Sequence, residues 1–148
     1  MPERKTIERA RKDKREDKAP STQAGEFIRE EIEHIRKGKH GVRSTKQAIA
    51  IGLSKARRAG IELPPPRKGK TSEATRRKAE HDLERGHEAK KPSVKRSRAT
   101  TQALKRESPS PASRRALSKQ AGVAARKRTH AERSAAAKKA ARTRKEMK

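Results

Sequence analysis

The sequence contains no cysteine, tryptophan, tyrosine or asparagine, and its single aromatic residue is Phe27. Without cysteine the chain can form neither a disulfide framework nor a thiolate metal site. With one aromatic side chain it lacks the stacking surfaces on which proteins usually bind single-stranded nucleic acids. No stretch approaches the ~18 consecutive apolar residues of a transmembrane helix or contains the apolar run of a signal peptide. These absences predict a soluble, cytosolic protein without membrane contact.

Motifs of enzymes and metal proteins are also missing. The sequence has no GxxxxGK[ST], GxGxxG or GxSxG motif. Its histidines include two pairs, His34/His40 and His81/His87, whose members lie six positions apart and so do not share a helical face. The fifth is His130. We therefore expect no enzyme activity, no cofactor and no metal site.

Positive charge is what the chain has in abundance. Its 148 residues include 44 Lys and Arg against 18 Asp and Glu, which gives a formal net charge of +26, and only 28% of the residues are hydrophobic. Such a composition has too little apolar material for a conventional single core. We expect one small packed module flanked by long tails.

That module is predicted at residues 21–63, which contain Phe27 and six of the seven isoleucines. The helical spacing of these apolar residues predicts a first helix from about Gln23 to Lys37. A second helix is predicted from Thr45 to about Ala59. Small residues at every fourth position of this helix would let two helix backbones approach closely, and these are Ala48, Gly52 and Ala56.

Local signals mark both ends of the second helix. Ser44 and Gln47 have the spacing of a capping box. At the other end Gly60 suits the left-handed position after the helix, and Ile61 the apolar position that packs back on Ala56. A run of three prolines, residues 64–66, then prevents continuation. Because this hairpin buries little apolar area, we expect it to form a homodimer or to fold on a partner.

The remaining segments are predicted from composition. Residues 1–20 are a mixed-charge arm, 64–70 a linker of proline and glycine, and 71–91 a weakly amphipathic helix. Residues 92–148 contain 18 basic and three acidic residues, and this tail should be disordered in free solution, although its alanine runs could become helical on a polyanion. The predicted fold class is mostly α: a small central helical hairpin, a further weak helix and long disordered basic tails.

The candidate nucleic-acid-binding residues are basic. One group, Lys55, Arg57 and Arg58, ends the second hairpin helix, where compensation of the helix dipole is an equally good interpretation. The others lie in the tail and would neutralise phosphates: Lys95, Arg96, Arg98, Lys105, Arg106, Arg114, Arg115, Lys119, Arg126, Lys127, Arg128, Lys138, Lys139, Arg142, Arg144 and Lys145.

Several stretches are similar to a bacterial family of small basic proteins with a domain of unknown function: GEFIREEIEHIRKGKHG, RSTKQAIAIGLSKARRAG, KTSEATRRKAE and KRSRATTQALKRE. The resemblance extends over nearly the full length. Members are sometimes labelled as DNA-binding or plasmid-stabilisation proteins, so it implies a bacterial origin and a nucleoid setting, and it supplies no catalytic residues. The end of the chain also resembles the Lys/Ala-rich arms of histone-like bacterial proteins.

These features favour sequence-nonspecific binding of double-stranded DNA, with the hairpin fixing position or dimerising. Structured RNA, such as ribosomal RNA, is the alternative partner. A third hypothesis is a protein-interaction module of the plasmid-stabilisation type, which would dock through the acidic first helix. Net charge alone does not separate these possibilities.

Overall fold

The structure is a computed structural model that describes residues 1–88 and 93–146. The described residues form helices and loops without a strand: α1 (Arg4–Arg15), α2 (Pro20–Arg36), α3 (Thr45–Arg58), α4 (Glu73–Glu88), α5 (Val94–Lys105), α6 (Arg114–Arg126), α7 (His130–Glu146) and a 3₁₀ turn at Ser110–Ala112. Helices cover most of the described residues, so the expectation of long disordered tails is wrong. Parts of the predicted 71–91 helix and 92–148 tail, residues 89–92 and 147–148, lie outside the described residues.

The chain divides into two compact units, Met1–Ser113 and Arg114–Lys148. In the first unit α2 and α3 form the predicted hairpin, and they approach closely at Gly52. A Cβ built there would lie 2.6 Å from Cα of Ile28. The prediction that Ala48, Gly52 and Ala56 permit this approach is confirmed, since all three are buried.

The start of α3 follows its predicted capping signal. Ser44 Oγ accepts a hydrogen bond from the Gln47 amide at 3.2 Å. Gln47 Oε1 in turn accepts from the Arg43 amide at 2.8 Å, one residue earlier than a standard capping box places this bond. Two of the unpaired N–H groups near the helix start are thereby satisfied.

The end of α3 is the predicted glycine stop. Gly60 has φ of 85°, a left-handed conformation that costs glycine little. Its N–H bonds to the Arg57 carbonyl at 3.0 Å, and the N–H of Ile61 bonds to the Ala56 carbonyl at 3.1 Å, which is the Schellman pattern. Ile61 packs in one core cluster with Ala56, as predicted.

The N-terminal segment, predicted from the sequence only as a mixed-charge arm, contains a packed helix. In α1 Thr6 and Ala10 are each only 1% exposed, and Ala10 shares a core cluster with Ala24 and Phe27 of α2. Among the described residues the exposed large apolar side chains are Met1 and Val94, neither of which belongs to the hairpin. Other apolar side chains of the hairpin are partly buried: Ile28, Ile32, Ile49, Ile51 and Leu53. Formation of a homodimer stays a prediction.

The predicted weak helix is present as α4, and it packs against α3. A Cβ on Gly86 would overlap the carbonyl oxygen of Arg57, so the close approach requires glycine at this position. Ala79 and Asp82 of α4 are buried against the rest of the unit. The thin apolar stripe of this helix is supplemented by polar contacts to α3, described below.

Residues 104–112, here called the return segment, fold back onto the loop between α2 and α3. The Leu104 carbonyl accepts from the Gly41 amide at 2.9 Å, and the Ser108 carbonyl accepts from the Val42 amide at 3.0 Å. Ala112 is fully buried in a core cluster with Val42. The first part of the predicted disordered tail is thus integral to the first unit.

Side chains of the hairpin secure the return segment. Thr45 Oγ1 donates to the Pro111 carbonyl at 2.7 Å, and Arg36 Nε donates to the Ala112 carbonyl at 2.8 Å. The predicted disorder is wrong here because the docking uses main-chain carbonyls, Ala112 and a single large apolar residue, Leu104. A count of large apolar residues registers only the last of these contributions.

The second unit contains α6 and α7, which bury none of their residues. α7 begins at a complete capping box, in which Thr129 N donates to Glu132 Oε2 at 2.8 Å and Glu132 N donates to Thr129 Oγ1 at 3.2 Å. Alanine is the strongest helix former. The composition predicted that this segment is disordered unless a polyanion is bound. Alanine propensity and the capping box account for its helices without one.

Candidate nucleic-acid interface

The three cations that end α3 all have intramolecular partners. Arg57 is the most buried of them, at 6% exposure. Its Nε donates to the Leu63 carbonyl at 3.1 Å and its Nη2 to the Pro64 carbonyl at 3.3 Å. Burial lowers the pKa of its guanidinium group. Arg57 thus fixes the start of the proline linker against α3.

Arg58 attaches α4 to α3. Its Nη2 lies 2.7 Å from Asp82 Oδ1, and its Nε donates to the same oxygen at 2.8 Å. Ser54 Oγ donates to Asp82 Oδ2 at 2.6 Å, so both oxygens of this buried carboxylate are satisfied. Removal of Arg58 would leave Asp82 buried without its counter-charge.

Lys55 lies against the two buried carboxylates of α2. Its Nζ is 2.6 Å from Glu31 Oε2 and 3.9 Å from Glu30 Oε1. A DNA phosphate would have to displace these partners to bind Lys55. The geometry therefore favours a structural role for Lys55, Arg57 and Arg58, and their contact with DNA stays a prediction.

The predicted cations of α5 and the turn after it face solvent. All five, Lys95, Arg96, Arg98, Lys105 and Arg106, are exposed. α5 buries none of its residues, although Leu104 packs against the cluster that holds Ala112. The helix is therefore anchored near its C-terminal end and presents its cations along its length.

The second unit is the most strongly basic part of the chain. Residues 114–148 contain thirteen Lys and Arg against two Glu, Glu132 and Glu146. Its predicted phosphate-binding residues are all exposed: Arg114, Arg115, Lys119, Arg126, Lys127, Arg128, Lys138, Lys139, Arg142, Arg144 and Lys145. Pairing within the unit, as between Arg142 and Glu146 at 3.9 Å, cannot neutralise more than two of these charges.

The cations of α7 lie around the helix. Residues 138, 142 and 145 share one face by helical spacing, while residues 133 and 144 lie on the opposite face. A helix that reads bases presents side chains from one face to the groove. A helix charged all round is better suited to phosphates, which a duplex offers on both sides of a groove.

A further cluster consists of Glu31, His34 and His40, whose donor atoms lie within 4.8 Å of one another. Both histidine side chains are 13% exposed and Glu31 is fully buried, with His40 Nε2 3.3 Å from Glu31 Oε1. Six-residue spacing would separate the histidines on a continuous helix. However, α2 ends at Arg36, and Gly38, with φ of 72°, turns the chain back. The glycine between the histidines is the signal that could have revealed this cluster.

Glu3 closes the outer side of this cluster. Its Oε1 lies 2.8 Å from His34 Nε2 and accepts from Lys39 Nζ at 3.2 Å. These hydrogen bonds, that of His34 first, lower the pKa of the Glu3 carboxyl to about 2. The Glu3 amide also donates to Glu30 Oε2 at 3.1 Å, so the start of α1 is fixed here.

Comparison with known proteins identifies one domain. Residues 20–68 match the model of a family of unknown function (DUF6496), which confirms the predicted domain of unknown function for α2, α3 and the linker. No curated protein and no solved structure matches the sequence. Among the described residues, no helix has both the length and the apolar character needed to cross a membrane.

Proposed function

We propose that the protein binds double-stranded DNA without sequence preference, through the exposed cations of α6 and α7 with a contribution from α5. The observation that carries this proposal is the excess of thirteen cations over two carboxylates in residues 114–148, on helices that bury none of their residues. Folding of the unit does not consume these charges. Each phosphate they neutralise releases counterions, which drives binding.

Duplex DNA is favoured over single strands by the composition. Phe27 is the sole aromatic residue and is 1% exposed, so the protein has no aromatic platform for unstacked bases. A duplex carries one phosphate charge per ~1.7 Å of its axis, and long cationic helices can follow such a rod. Structured RNA offers similar phosphates and remains the alternative that the experiment must separate.

The interaction-module hypothesis has less support from the geometry of α2. Its acidic residues would be the docking surface, yet Glu30 and Glu31 are buried. Glu26 pairs with Arg9 at 2.5 Å and Glu33 with Arg29 at 3.3 Å. These carboxylates are used inside the first unit, which leaves little free acidic surface on this helix.

The setting we propose is the bacterial nucleoid. The support is the resemblance of the Lys/Ala-rich end to the arms of histone-like proteins, which is a similarity of composition. The matched domain of unknown function covers residues 20–68 and excludes the basic helices. In this proposal the second unit binds DNA and the first unit contains the buried core.

The test is the salt dependence of binding to a labelled duplex, followed by fluorescence anisotropy between 50 and 200 mM salt. If about eight phosphates are neutralised, log K should fall against log salt with a slope of about −7, a loss near 10⁴ in affinity. Replacement of five α7 cations by Gln should make the slope less negative by up to about 4.5, at ~0.9 per contact. The five are Lys138, Lys139, Arg142, Arg144 and Lys145.

The matched control replaces five exposed cations of α1 by Gln: Arg4, Lys5, Arg11, Lys12 and Arg15. This variant has the same net charge as the α7 variant. If the α1 variant and the α7 variant make the salt slope less negative by the same amount, net charge rather than the second unit governs binding. If a structured RNA of equal length competes more than tenfold better than duplex DNA, the RNA alternative replaces the proposal.

A further inference from the structure

Two buried carboxylate oxygens beside His34 and His40 have no hydrogen-bond donor among the described residues. They are Oε1 of Glu30 and Oε1 of Glu31, on side chains that are 3% and 0% exposed. His40 Nε2 lies 3.3 Å from Glu31 Oε1 without hydrogen-bonding geometry. Lys55 Nζ lies 3.9 Å from Glu30 Oε1, too far for a hydrogen bond. A carboxylate oxygen removed from water without a hydrogen bond is unfavourable, so Glu31 Oε1 in particular calls for a positively charged partner.

The hydrogen bonds of the two imidazole rings determine which nitrogens are free. His34 Nε2 faces a carboxylate oxygen of Glu3 at 2.8 Å, and His40 Nδ1 faces the Gly41 carbonyl at 3.1 Å. Both of those oxygens only accept, so in neutral rings these nitrogens carry the protons. The lone pairs then lie on His34 Nδ1 and His40 Nε2.

Each of these lone pairs faces an unpaired carboxylate oxygen. His34 Nδ1 is 4.0 Å from Glu30 Oε1, and His40 Nε2 is 3.3 Å from Glu31 Oε1. Lone pair against oxygen is repulsive, and a cation between them would make both contacts favourable. The hydrogen bonds that the rings donate to Glu3 and to the Gly41 carbonyl would hold the rings in the coordinating orientation, as such bonds do for metal-bound histidines.

We propose that Glu31, His34 and His40 bind a zinc-type divalent transition-metal ion. Bonds of 2.0–2.1 Å in a tetrahedral site place ligand atoms about 3.3 Å apart, which the His40–Glu31 distance of 3.3 Å matches. The three donor atoms lie within 4.8 Å of one another, so the widest separation among them must close by up to about 1.5 Å on binding. Imidazole donors select such ions over Mg²⁺ and Ca²⁺.

The charges near the cluster are compatible with a dication. Glu3, Glu30 and Glu31 contribute three carboxylates, while Lys39 and Lys55 contribute two ammonium groups. Lys55 binds Oε2 of Glu31, which leaves Oε1 for the ion. A bound ion would join the end of α2 to the following loop and, through Glu3, to α1, and would stabilise the first unit by mass action.

The experiment is a calorimetric titration of the full chain, without a polyhistidine tag and freed of metal by a chelator, with Zn²⁺. One equivalent of Zn²⁺ should bind, and His34→Gln and His40→Gln should each lower the affinity by at least about tenfold. The matched controls His81→Gln and His87→Gln replace exposed histidines of α4 and should bind as the wild type does. Mg²⁺ should give no binding heat.

A second measurement does not depend on the folding of a variant. On addition of Zn²⁺ to the wild-type protein, the NMR ring resonances of His34 and His40 should shift, and those of His81, His87 and His130 should not. Absence of Zn²⁺ binding would overturn the proposal. Equal loss of affinity in the His87→Gln control, or equal shifts of all five rings, would also overturn it.

Discussion

The two units use the same residue types for different purposes. Residues 1–113 contain 31 Lys and Arg against 16 Asp and Glu, and residues 114–148 contain 13 against two. In the first unit, carboxylates and carbonyls engage cations such as Lys55, Arg57 and Arg58. In the second, carboxylates are too few to do so. Whether a cation stabilises the fold or remains available to a polyanion is thus decided by the carboxylates and carbonyls around it.

The units also differ in what makes them helical. The first buries Phe27, Ile35 and Val42 almost completely, and its helix α3 has specific caps at both ends. The second has no buried residue on either helix and relies on alanine propensity and the Thr129/Glu132 capping box. Changes in the core should therefore affect one unit, and changes in charge the other.

The largest stability effect should come from Phe27→Ala. Phe27 is 1% exposed, and truncation of a buried phenylalanine costs ~3 to 5 kcal/mol. Chemical denaturation of the first unit should show this loss. DNA affinity at low salt should change less than about threefold, or ~0.7 kcal/mol, because the proposed binding residues of α6 and α7 belong to the other unit.

Val94→Ala is the control for Phe27→Ala, since Val94 is 63% exposed and its truncation should stay within about 0.5 kcal/mol. A parallel loss of stability and DNA affinity in Phe27→Ala would show that the first unit contributes directly to binding. The contrast between the units would then be wrong.

Truncation after Ser113 should cause the next largest effect, on binding. It removes a net charge of +11 and leaves the return segment, including the buried Ala112, in place. At 50 mM salt we expect a loss of at least about a hundredfold in duplex affinity, or ~2.7 kcal/mol, and a clearly shallower salt slope. Unchanged helicity per residue of the first unit, measured by circular dichroism, would verify the fold.

Truncation at Lys91 is a poorer test of binding than the composition alone suggests. It removes Leu104 and Ala112, which pack against the hairpin, as well as the basic helices. Affinity and fold would then be lost together. If the chain ending at Ser113 binds duplex DNA as tightly as the full chain, the second unit is not the site of binding.

Local sequence signals predicted the hairpin because they act over a few residues. Ser44 caps the start of α3, Gly60 ends it, and the small residues at every fourth position allow close packing on α2. The docking of α1 and the return segment could not be predicted in this way, because it depends on contacts distant in sequence, such as Thr45 with Pro111. The histidine cluster likewise required the turn at Gly38.

The basic residues show the same division. Exposure of the tail cations follows from their number, since two carboxylates cannot pair with thirteen cations. The partners of Lys55, Arg57 and Arg58 could not be read from the sequence, because Glu31, Leu63 and Asp82 come from three different segments. Composition therefore indicates how much charge is free but not which residues carry it.

Two glycine-to-alanine substitutions, one in each unit, should change stability in opposite directions. Gly52→Ala would place a Cβ 2.6 Å from the Ile28 backbone, and overpacking of ~1 to 3 kcal/mol should exceed the gain in helix propensity of ~1 kcal/mol. In α6 the nearest atom to a Cβ on Gly122 is an arginine tip at 3.9 Å. Gly122→Ala should therefore increase helix stability by up to ~1 kcal/mol.

Thermal denaturation followed by circular dichroism measures both variants. The two substitutions are chemically identical, so each is the control for the other. If Gly52→Ala stabilises the protein, the close approach of α2 and α3 is not a tight contact. If Gly122→Ala destabilises it, α6 has packing that its exposure does not indicate.

The smallest expected effect is discrimination between DNA sequences. Readout of bases requires a rigid element that presents several side chains to a groove, with bidentate contacts worth ~1 to 3 kcal/mol each. The chain has no asparagine, and Arg57 and Arg58 of the rigid α3 bind Leu63, Pro64 and Asp82. Unrelated duplexes of equal length should thus compete within about tenfold, or ~1.4 kcal/mol. Selection of one motif bound a hundredfold more tightly than random duplex at physiological salt would contradict this, because only a rigid surface with free side chains could supply that preference.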